Sequence, residues 1–192
     1  AASGAKSDAS VAGSVGVNVV TLTSRASVGD NAQLEARGSS GAITLSATSP
    51  MLLQNIAAAA ALSGGGTAVG AAVAVNLIEH TTEATIGSDV QLDAAGVTSL
   101  TATSSLLPMQ DADAPVFDDG SRLSSLAIGG GISMGAVGIG GSVSVNVLTQ
   151  NTHAAIGSGA LINQDRDFVA RDDQSVRLAA VDATVLRSAA GG

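Results

Sequence analysis

The stretch Gly70–Gly87, G-A-A-V-A-V-N-L-I-E-H-T-T-E-A-T-I-G, decides the fold because the chain repeats it. The alternating run that ends at Asn76 recurs before Asn146 and, in a degenerate form, before Asn18. Each of these Asn residues is followed eleven residues later by a Gly. A chain that repeats itself at fixed offsets is normally a stack of similar units that bury their apolar faces against one another. The sequence therefore predicts a repeat architecture.

Two shorter runs with alternating apolar and polar residues follow each copy. Alternation with a period of two, bounded by Gly and Ser, indicates half-buried strands joined by tight turns. The predicted fold class is therefore all-β, a single-stranded parallel β-solenoid in the form of a right-handed β-helix. These runs are 33–36 and 42–47 after the first copy, 91–94 and 97–102 after the second, and 161–163 and 175–180 after the third.

The spacing of the copies predicts the size of the stack. Asn18 and Asn76 are 58 residues apart, and Asn76 and Asn146 are 70 apart. With a coil of roughly 20 residues, a usual size for solenoid repeats, each interval holds three coils and the chain makes about eight or nine. The 12 additional residues of the second interval are expected in a surface loop near 106–122, which contains two Pro and breaks the alternation. We expect residues 1–192 to be one continuous β-helix segment, cut from a longer repeat protein.

Two uncharged runs, Ile56–Ile78 and Leu126–Leu148, are long enough to be considered as membrane-spanning helices. Three consecutive Gly residues interrupt each run, at 64–66 and 129–131, and each Gly costs a helix about 1 kcal/mol. The chain has no Trp or Tyr to form an interfacial belt. Both runs also end in the period-two copies, so strands are the preferred interpretation.

The composition excludes some classes of partner. Sixteen acidic residues against eight basic ones give a net charge of −8, which is the wrong sign for binding a phosphate backbone. We therefore expect neither a nucleic-acid partner nor membrane insertion.

The absence of Cys removes disulfides and thiolate sites, which is compatible with the cytosol and with exported bacterial proteins. Aromatic residues make up only 1% of the chain, so the core is expected to be a thin one of Ala, Val, Leu and Ile.

One Asn and one Gly in each copy are interpreted as structural turn positions. Asn tolerates a left-handed backbone and can stack its side-chain amide between coils, while Gly adopts positive φ freely. A row of ligands is the alternative for the Asn residues. His80 and His153 occupy different repeat positions, so we predict solvated side chains rather than a pair of ligands. The predicted turn positions are Asn18, Asn76, Asn146, Gly29, Gly87 and Gly157.

Two groups of carboxylates are the candidate metal ligands. Oxygen ligands gathered in a loop suit Ca²⁺. Neither group has the EF-hand spacing or the G-G-x-G-x-D repeat, so we expect a solvated acidic surface and no cofactor, and calcium is the alternative. The first group, in the expected loop, is Asp111, Asp113, Asp118 and Asp119, and the second is Asp165, Asp167, Asp172 and Asp173.

The V-x-V-N and A-x-I-G pieces of the copies resemble the repeats of very large bacterial surface adhesins. The likeness is to leukotoxin-like filamentous adhesins and, more loosely, to filamentous haemagglutinin-type proteins. It implies a secreted β-helix passenger at the cell surface, exported by a type V or related route, with its function spread along a fibre. The family offers no catalytic motif to transfer.

The sequence and this resemblance together predict a structural and adhesive segment of an exported bacterial surface fibre, which attaches to surfaces or other cells and is not an enzyme. Its expected partners are neighbouring repeats of the same protein or end-to-end copies, together with an unidentified receptor or glycan. One alternative is a self-assembling extracellular filament subunit. The other is a polysaccharide-acting β-helix enzyme, which needs basic and aromatic groove residues where this chain has one Lys and two Phe.

Overall fold

The computed structural model describes residues 1–5, 9–38, 41–106, 123–165, 172 and 174–192, in which every regular element is a β-strand. Long alternating runs without Pro or charge favour extended backbone, and the longest strands coincide with the repeated stretch. The strands are β1 (Ala2–Ala5), β2 (Ala9–Val28), β3 (Gln33–Ala36), β4 (Ile43–Met51), β5 (Leu53–Ser63), β6 (Thr67–Ile86), β7 (Gln91–Ala94), β8 (Val97–Leu106), β9 (Leu123–Ser133), β10 (Gly138–Ile156), β11 (Leu161–Ile162), β12 (Ser175–Ala183) and β13 (Leu186–Gly191).

The chain visits four parallel sheets in a constant order. It runs through the broad sheet (β2, β6, β10), the end sheet (β3, β7, β11), the first return sheet (β4, β8, β12) and the second return sheet (β1, β5, β9, β13). All the strand pairs in the described part of the chain are parallel. The predicted all-β class with parallel strands is therefore confirmed, and the arrangement is compatible with a β-solenoid.

The three copies of the repeat lie side by side in register. Asn76 pairs with Asn18 on one side and with Asn146 on the other. In the end sheet, Leu92 pairs with Leu34 and with Ile162. The alignment of the copies that the sequence suggested is thus the register of the strands.

The predicted number of coils is wrong for the described strands. Partners in neighbouring strands of the broad sheet are 58 or 70 residues apart in sequence, so one passage through the four sheets takes about three times the expected 20 residues. The broad sheet accordingly holds three strands rather than eight or nine rungs. The physical reason is the length of β2 and β6, which contain 20 residues each and leave no room for three sides in a 20-residue coil.

The additional residues of the second interval fall between the two return sheets. Met51 pairs with Leu106, and Leu53 pairs with Leu123. A single residue, Leu52, therefore corresponds to the 16 residues 107–122, which are 15 more. This is where the sequence predicted a loop near 106–122, and the loop itself lies outside the described residues. The connection from Ala94 to Thr98 is three residues shorter than that from Ala36 to Ile43, so the net difference is 12.

The size of the side chains that fill the interior changes along the strands. Where the broad sheet faces the first return and end sheets, the core contains Ile86, Leu92 and Leu100, each at most 2% exposed. Where it faces the second return sheet, the buried apolar cluster is made of Ala alone. A Cβ on Gly70 of the broad sheet would collide with the carbonyl oxygen of Gly130 in the second return sheet. The two backbones are therefore in direct contact at this end.

The uncharged runs that raised the question of membrane helices are strands in the structure. Ile56–Ile78 forms most of β5 and the first half of β6, and Leu126–Leu148 forms most of β9 and the first half of β10. Within the described ranges, no helix has the length and apolar character that a membrane crossing requires.

Candidate functional site: an aliphatic outer face

Along the first half of the broad strands, the small side chains point into the core and the larger aliphatic side chains point outward. In β6, Ala72 and Ala74 point inward and are at most 1% exposed. Their neighbours Val73 and Val75 point outward and are half-buried, and Leu77 is 47% exposed. The expectation that Val fills the core is therefore wrong for these strands.

The outward aliphatic side chains form a continuous patch, which we call the valine face. Val11 and Val15 are each 71% exposed at one margin of the patch, and Val143 is 53% exposed at the other. Exposed apolar patches of this kind on a soluble surface usually mark a contact site. The valine face consists of Val11, Val15, Val17 and Val19 on β2, Val69, Val73, Val75 and Leu77 on β6, and Ile139, Val143, Val145 and Val147 on β10.

The narrow interior explains why these side chains lie outside. Successive residues of a strand point to opposite faces, so burying Val73 and Val75 would expose Ala72 and Ala74. Ile78 and Ile86 point to the same face of β6 as these two Ala residues, so they would also leave the core. Because the facing sheets touch through Gly and Ala, only the small residues fit inside, and the branched ones remain in solvent.

The valine face has ridges and a groove. Parallel pairing in register places Val15, Val73 and Val143 in one row across the three strands. The neighbouring outward row, two residues earlier, is Gly13-Ala71-Gly141. Rows two residues apart along a strand are separated by about 6.6 Å. The small row therefore leaves a channel between two ridges of branched side chains.

The opposite side of the same end is also apolar. Ile56, Leu62, Ile128 and Ile132 on the second return sheet are 47–62% exposed. Residues 9–24, 51–78 and 123–164 of this end contain no Asp, Glu, Lys or Arg, whereas β13 of the second return sheet carries Arg187. The broad strands are therefore divided along their length into an uncharged half and a half that carries charges.

The charged half of the broad strands and the neighbouring end sheet carry the ion pairs. On the outer face of the broad sheet, the guanidinium of Arg25 lies 2.6 Å from the carboxylate of Glu83. On the outer side of the end sheet, Arg37 Nε donates to Glu35 at 2.8 Å and holds the pKa of that carboxyl below its ordinary value. Arg37 also lies 3.7 Å from Asp165. The polarity of the outer surface thus changes within single strands, between Leu77 and Glu79 in β6.

The repeated Asn residues lie inside strands, so their assignment as turns is wrong. Their side chains point inward and form a ladder of stacked amides. Asn18 Nδ2 donates to Asn76 Oδ1 at 3.1 Å, and Asn76 Nδ2 donates to Asn146 Oδ1 at 2.6 Å. Asn55, on the second return sheet, donates to Asn76 Oδ1 at 2.9 Å. The ladder ties the two sheets together beside the Ala interior.

The repeated Gly residues follow the broad strands, as predicted for turn positions. The predicted reason, a backbone with positive φ at Gly29, Gly87 and Gly157, is wrong. The left-handed residues are instead found two positions later, at Asn31 (φ 58°), Asp89 (φ 55°) and Gly159 (φ 72°). A Cβ on Gly87 would meet the backbone of Gly29, and a Cβ on Gly157 would meet that of Gly87. The close stacking of successive turns therefore requires Gly at 87 and 157.

His80 is buried, which contradicts the prediction of a solvated side chain. It is 1% exposed, and its Nδ1 lies 3.1 Å from Ser104 Oγ. Its Nε2 has no hydrogen-bond partner in the described part of the chain. Burial lowers the pKa of His80, and the carboxylate of Asp182 opposes this shift. His153 is exposed on the outer face.

The candidate calcium ligands are not brought together by the described residues. Asp165 is half-buried and Asp172 is exposed, whereas Asp167 and Asp173 lie outside the described part. Among the residues that the structure describes, no group of three or more His, Cys, Asp or Glu is placed to hold a metal ion. The loop ligands Asp111, Asp113, Asp118 and Asp119 lie outside the described residues, so a calcium site there stays a prediction.

Comparison of the chain with protein-family models, curated proteins and solved structures finds no match. The likeness to filamentous adhesins therefore stays an expectation from the sequence motifs. The function is inferred from the surface of the fold.

The sequence contained a signal for the valine face that its interpretation missed. Ile78 and Ile86 are an even number of residues from Asn76 in β6, so their side chains point to the same face of the strand as Asn76. Val73 and Val75 are an odd number of residues away and point to the other face. Since large Ile residues belong in a core, they fix Asn76 inside and the two Val residues outside. Alternation alone does not say which of its two faces is buried.

Proposed function

We propose that the chain is a structural and adhesive segment of an extracellular bacterial fibre, built as a right-handed β-solenoid. The valine face is its contact surface. The observation that carries this proposal is the combination of in-register stacking with an uncharged, outward aliphatic patch across all three broad strands.

Stacking supports the structural part of the role. Each passage of the chain buries its inner residues against the next passage, and the Asn ladder continues from one to the next. Such a stack extends by adding passages, because each contacts only its neighbours. The unpaired backbone groups at a sheet edge accept a further strand. Neighbouring repeats or end-to-end copies are therefore the proposed partners along the axis.

The valine face supports the adhesive part. Aliphatic side chains held on a rigid sheet lose little conformational entropy on contact, because Val is already restricted at χ1. Removing apolar area from water contributes about 25 cal/mol per Å². The proposed targets are therefore apolar surfaces, including abiotic ones and the exposed apolar patches of other surface molecules.

Adsorption to defined surfaces tests this function. The 192-residue chain would be passed, at a concentration where it is monomeric, over methyl-terminated and hydroxyl-terminated monolayers on a quartz microbalance. We expect the native chain to prefer the methyl surface by at least tenfold. The triple variant Val17→Ser, Val75→Ser, Val145→Ser should lose most of that preference, because it removes one complete row of the valine face.

A matched control uses the polar half of the same three strands. The triple variant Thr23→Ser, Thr81→Ser, Asn151→Ser changes one outward row there and should adsorb like the native chain. Equal adsorption of the native chain to both surfaces, or full adsorption by the Val variant, would overturn the adhesive role.

A further inference from the structure

The central ridge and the groove of the valine face are complementary to each other. The Val15-Val73-Val143 ridge and the Gly13-Ala71-Gly141 groove are adjacent parallel rows. Consider a twofold axis that lies in the plane of the face, midway between these two rows, and runs along the stacking direction. Rotation about this axis places the Val15-Val73-Val143 ridge of each copy in the groove of the other copy. The same axis sets the Val69 row against the Val75 row, so these two outer ridges meet ridge to ridge on either side of the nested pair. One surface can therefore pack against itself without a second, different patch.

This symmetry suits a stack of passages. A rotation about an axis parallel to the stacking direction leaves that direction unchanged, so each passage of one copy faces a passage of the other. The two stacks then lie side by side and point the same way. Every passage added to both stacks repeats the same contact.

Charge does not oppose the pairing. The part of the broad strands that carries the valine face has no Asp, Glu, Lys or Arg, so no ionised group loses water in the contact. The ion pair of Arg25 and Glu83 lies in the other half of the sheet. A face-to-face dimer centred between the ridge and the groove leaves that half in solvent.

The area predicts a weak but specific association. The valine face spans nine residues at about 3.3 Å on three strands at about 4.8 Å, which gives a footprint of about 430 Å² per copy, or about 860 Å² in total. Stable interfaces bury about 1,200–2,000 Å² in total, so three strands fall below that range. Each further passage would add about 290 Å², so pairing strengthens as a fibre lengthens.

A lipid surface is the competing occupant, and the sheet edges disfavour it. Strands β2 and β10 are the outer strands of the broad sheet in the described part of the chain, and each has one unpaired edge. Unpaired backbone groups are costly in hydrocarbon. In a face-to-face dimer these edges stay in water.

We propose that the valine face pairs with the valine face of a second copy, so that solenoid stacks associate laterally as parallel pairs. The inference rests on the proposed fibre role only in treating the chain as a segment of a stack. It names a second copy of this chain as the partner of the valine face.

Sedimentation velocity of the 192-residue chain between about 1 and 500 μM tests the pairing. We expect a reversible monomer–dimer equilibrium. Val73→Lys, which places a charge on the central ridge, should weaken dimerisation at least tenfold. Thr81→Lys, an outward residue in the polar half of the same strand, is the matched control and should dimerise like the native chain. Melting curves would show that both variants fold.

A groove-filling variant separates specific pairing from general stickiness. Ala71→Val adds apolar surface and removes the channel, so it should weaken dimerisation while leaving adsorption to a methyl surface undiminished. Stronger dimerisation by this variant would overturn the ridge-in-groove contact.

A native chain that stays monomeric at 500 μM, whether or not it floats with phosphatidylcholine vesicles, would overturn the pairing. Adsorption without dimerisation contradicts only this inference, and dimerisation without adsorption contradicts only the adhesive role.

Discussion

Asn76 joins the three broad strands and the facing sheet through one side chain. It is fully buried and bonds to Asn18, Asn146 and Asn55. Replacing Asn76 with Ala removes all three bonds and leaves buried amide groups without partners, each of which costs about 1–3 kcal/mol. We expect Asn76→Ala to reduce the free energy of unfolding by about 2–4 kcal/mol in urea denaturation.

Asn18 provides the matched comparison, because it belongs to the same ladder but is only half-buried and bonds to Asn76 alone among the ladder residues. Asn18→Ala should therefore cost only about 1 kcal/mol. Equal losses for the two variants would show that the ladder is not a buried network.

His80 makes stability depend on pH. Its pKa is lowered in the folded chain by burial, so the unfolded chain, with an ordinary His pKa of about 6.5, binds the proton more readily. The stabilising contribution is fully present above about pH 6.5 and is lost as the pH falls towards the lowered folded pKa. Urea midpoints measured between about pH 7 and 5 should therefore decrease for the native chain.

Variants at the two His positions identify the source of this dependence. Gln150 occupies the His80 row in the neighbouring strand, so His80→Gln introduces a side chain that the row already accommodates, and it should flatten the pH dependence. His153 is exposed, and His153→Gln should leave the dependence as in the native chain. A native slope that survives His80→Gln would contradict this assignment.

At the scale of the strand, the inversion of side-chain size is directly testable. Ala74 is fully buried between sheets in backbone contact, whereas Val75 faces outward. Ala74→Val should overpack the interior and cost about 1–3 kcal/mol. Val75→Thr, a change of similar shape on the outside, should stay within about 0.5 kcal/mol. The opposite ranking in thermal melts would mean that the Val residues are the buried set.

The strands and their register could be predicted from the sequence, because the Asn and Gly of each copy recur at fixed offsets. Which face is buried was harder to predict. A small residue such as Ala74 indicates a core position only when another sheet approaches closely. That approach depends on Gly129 and Gly131, in a strand far away in sequence, because a Cβ at either position would collide with the backbone of the broad strands. The burial of His80 depends in the same way on Ser104, which the sequence does not connect with it.

At the scale of the whole molecule, the passage length was mispredicted because a general repeat size replaced the period in the chain itself. The sequence repeats at 58 and 70 residues and shows no shorter period. A coil of roughly 20 residues cannot contain a strand as long as β2 or β6, which have 20 residues each, together with its other sides. Two long sides and one short end sheet satisfy the same alternation.

Spin-label contacts in this Cys-free chain test the passage length most directly. Thr23 and Thr81 are paired neighbours in the broad sheet, whereas Thr23 and Thr44, 21 residues apart, lie in different sheets. Nitroxides at Thr23→Cys and Thr81→Cys should show strong dipolar broadening, because adjacent strands are about 4.8 Å apart, and nitroxides at Thr23→Cys and Thr44→Cys should show none. Broadening in the second pair and not in the first would contradict the long passage and restore the 20-residue coil.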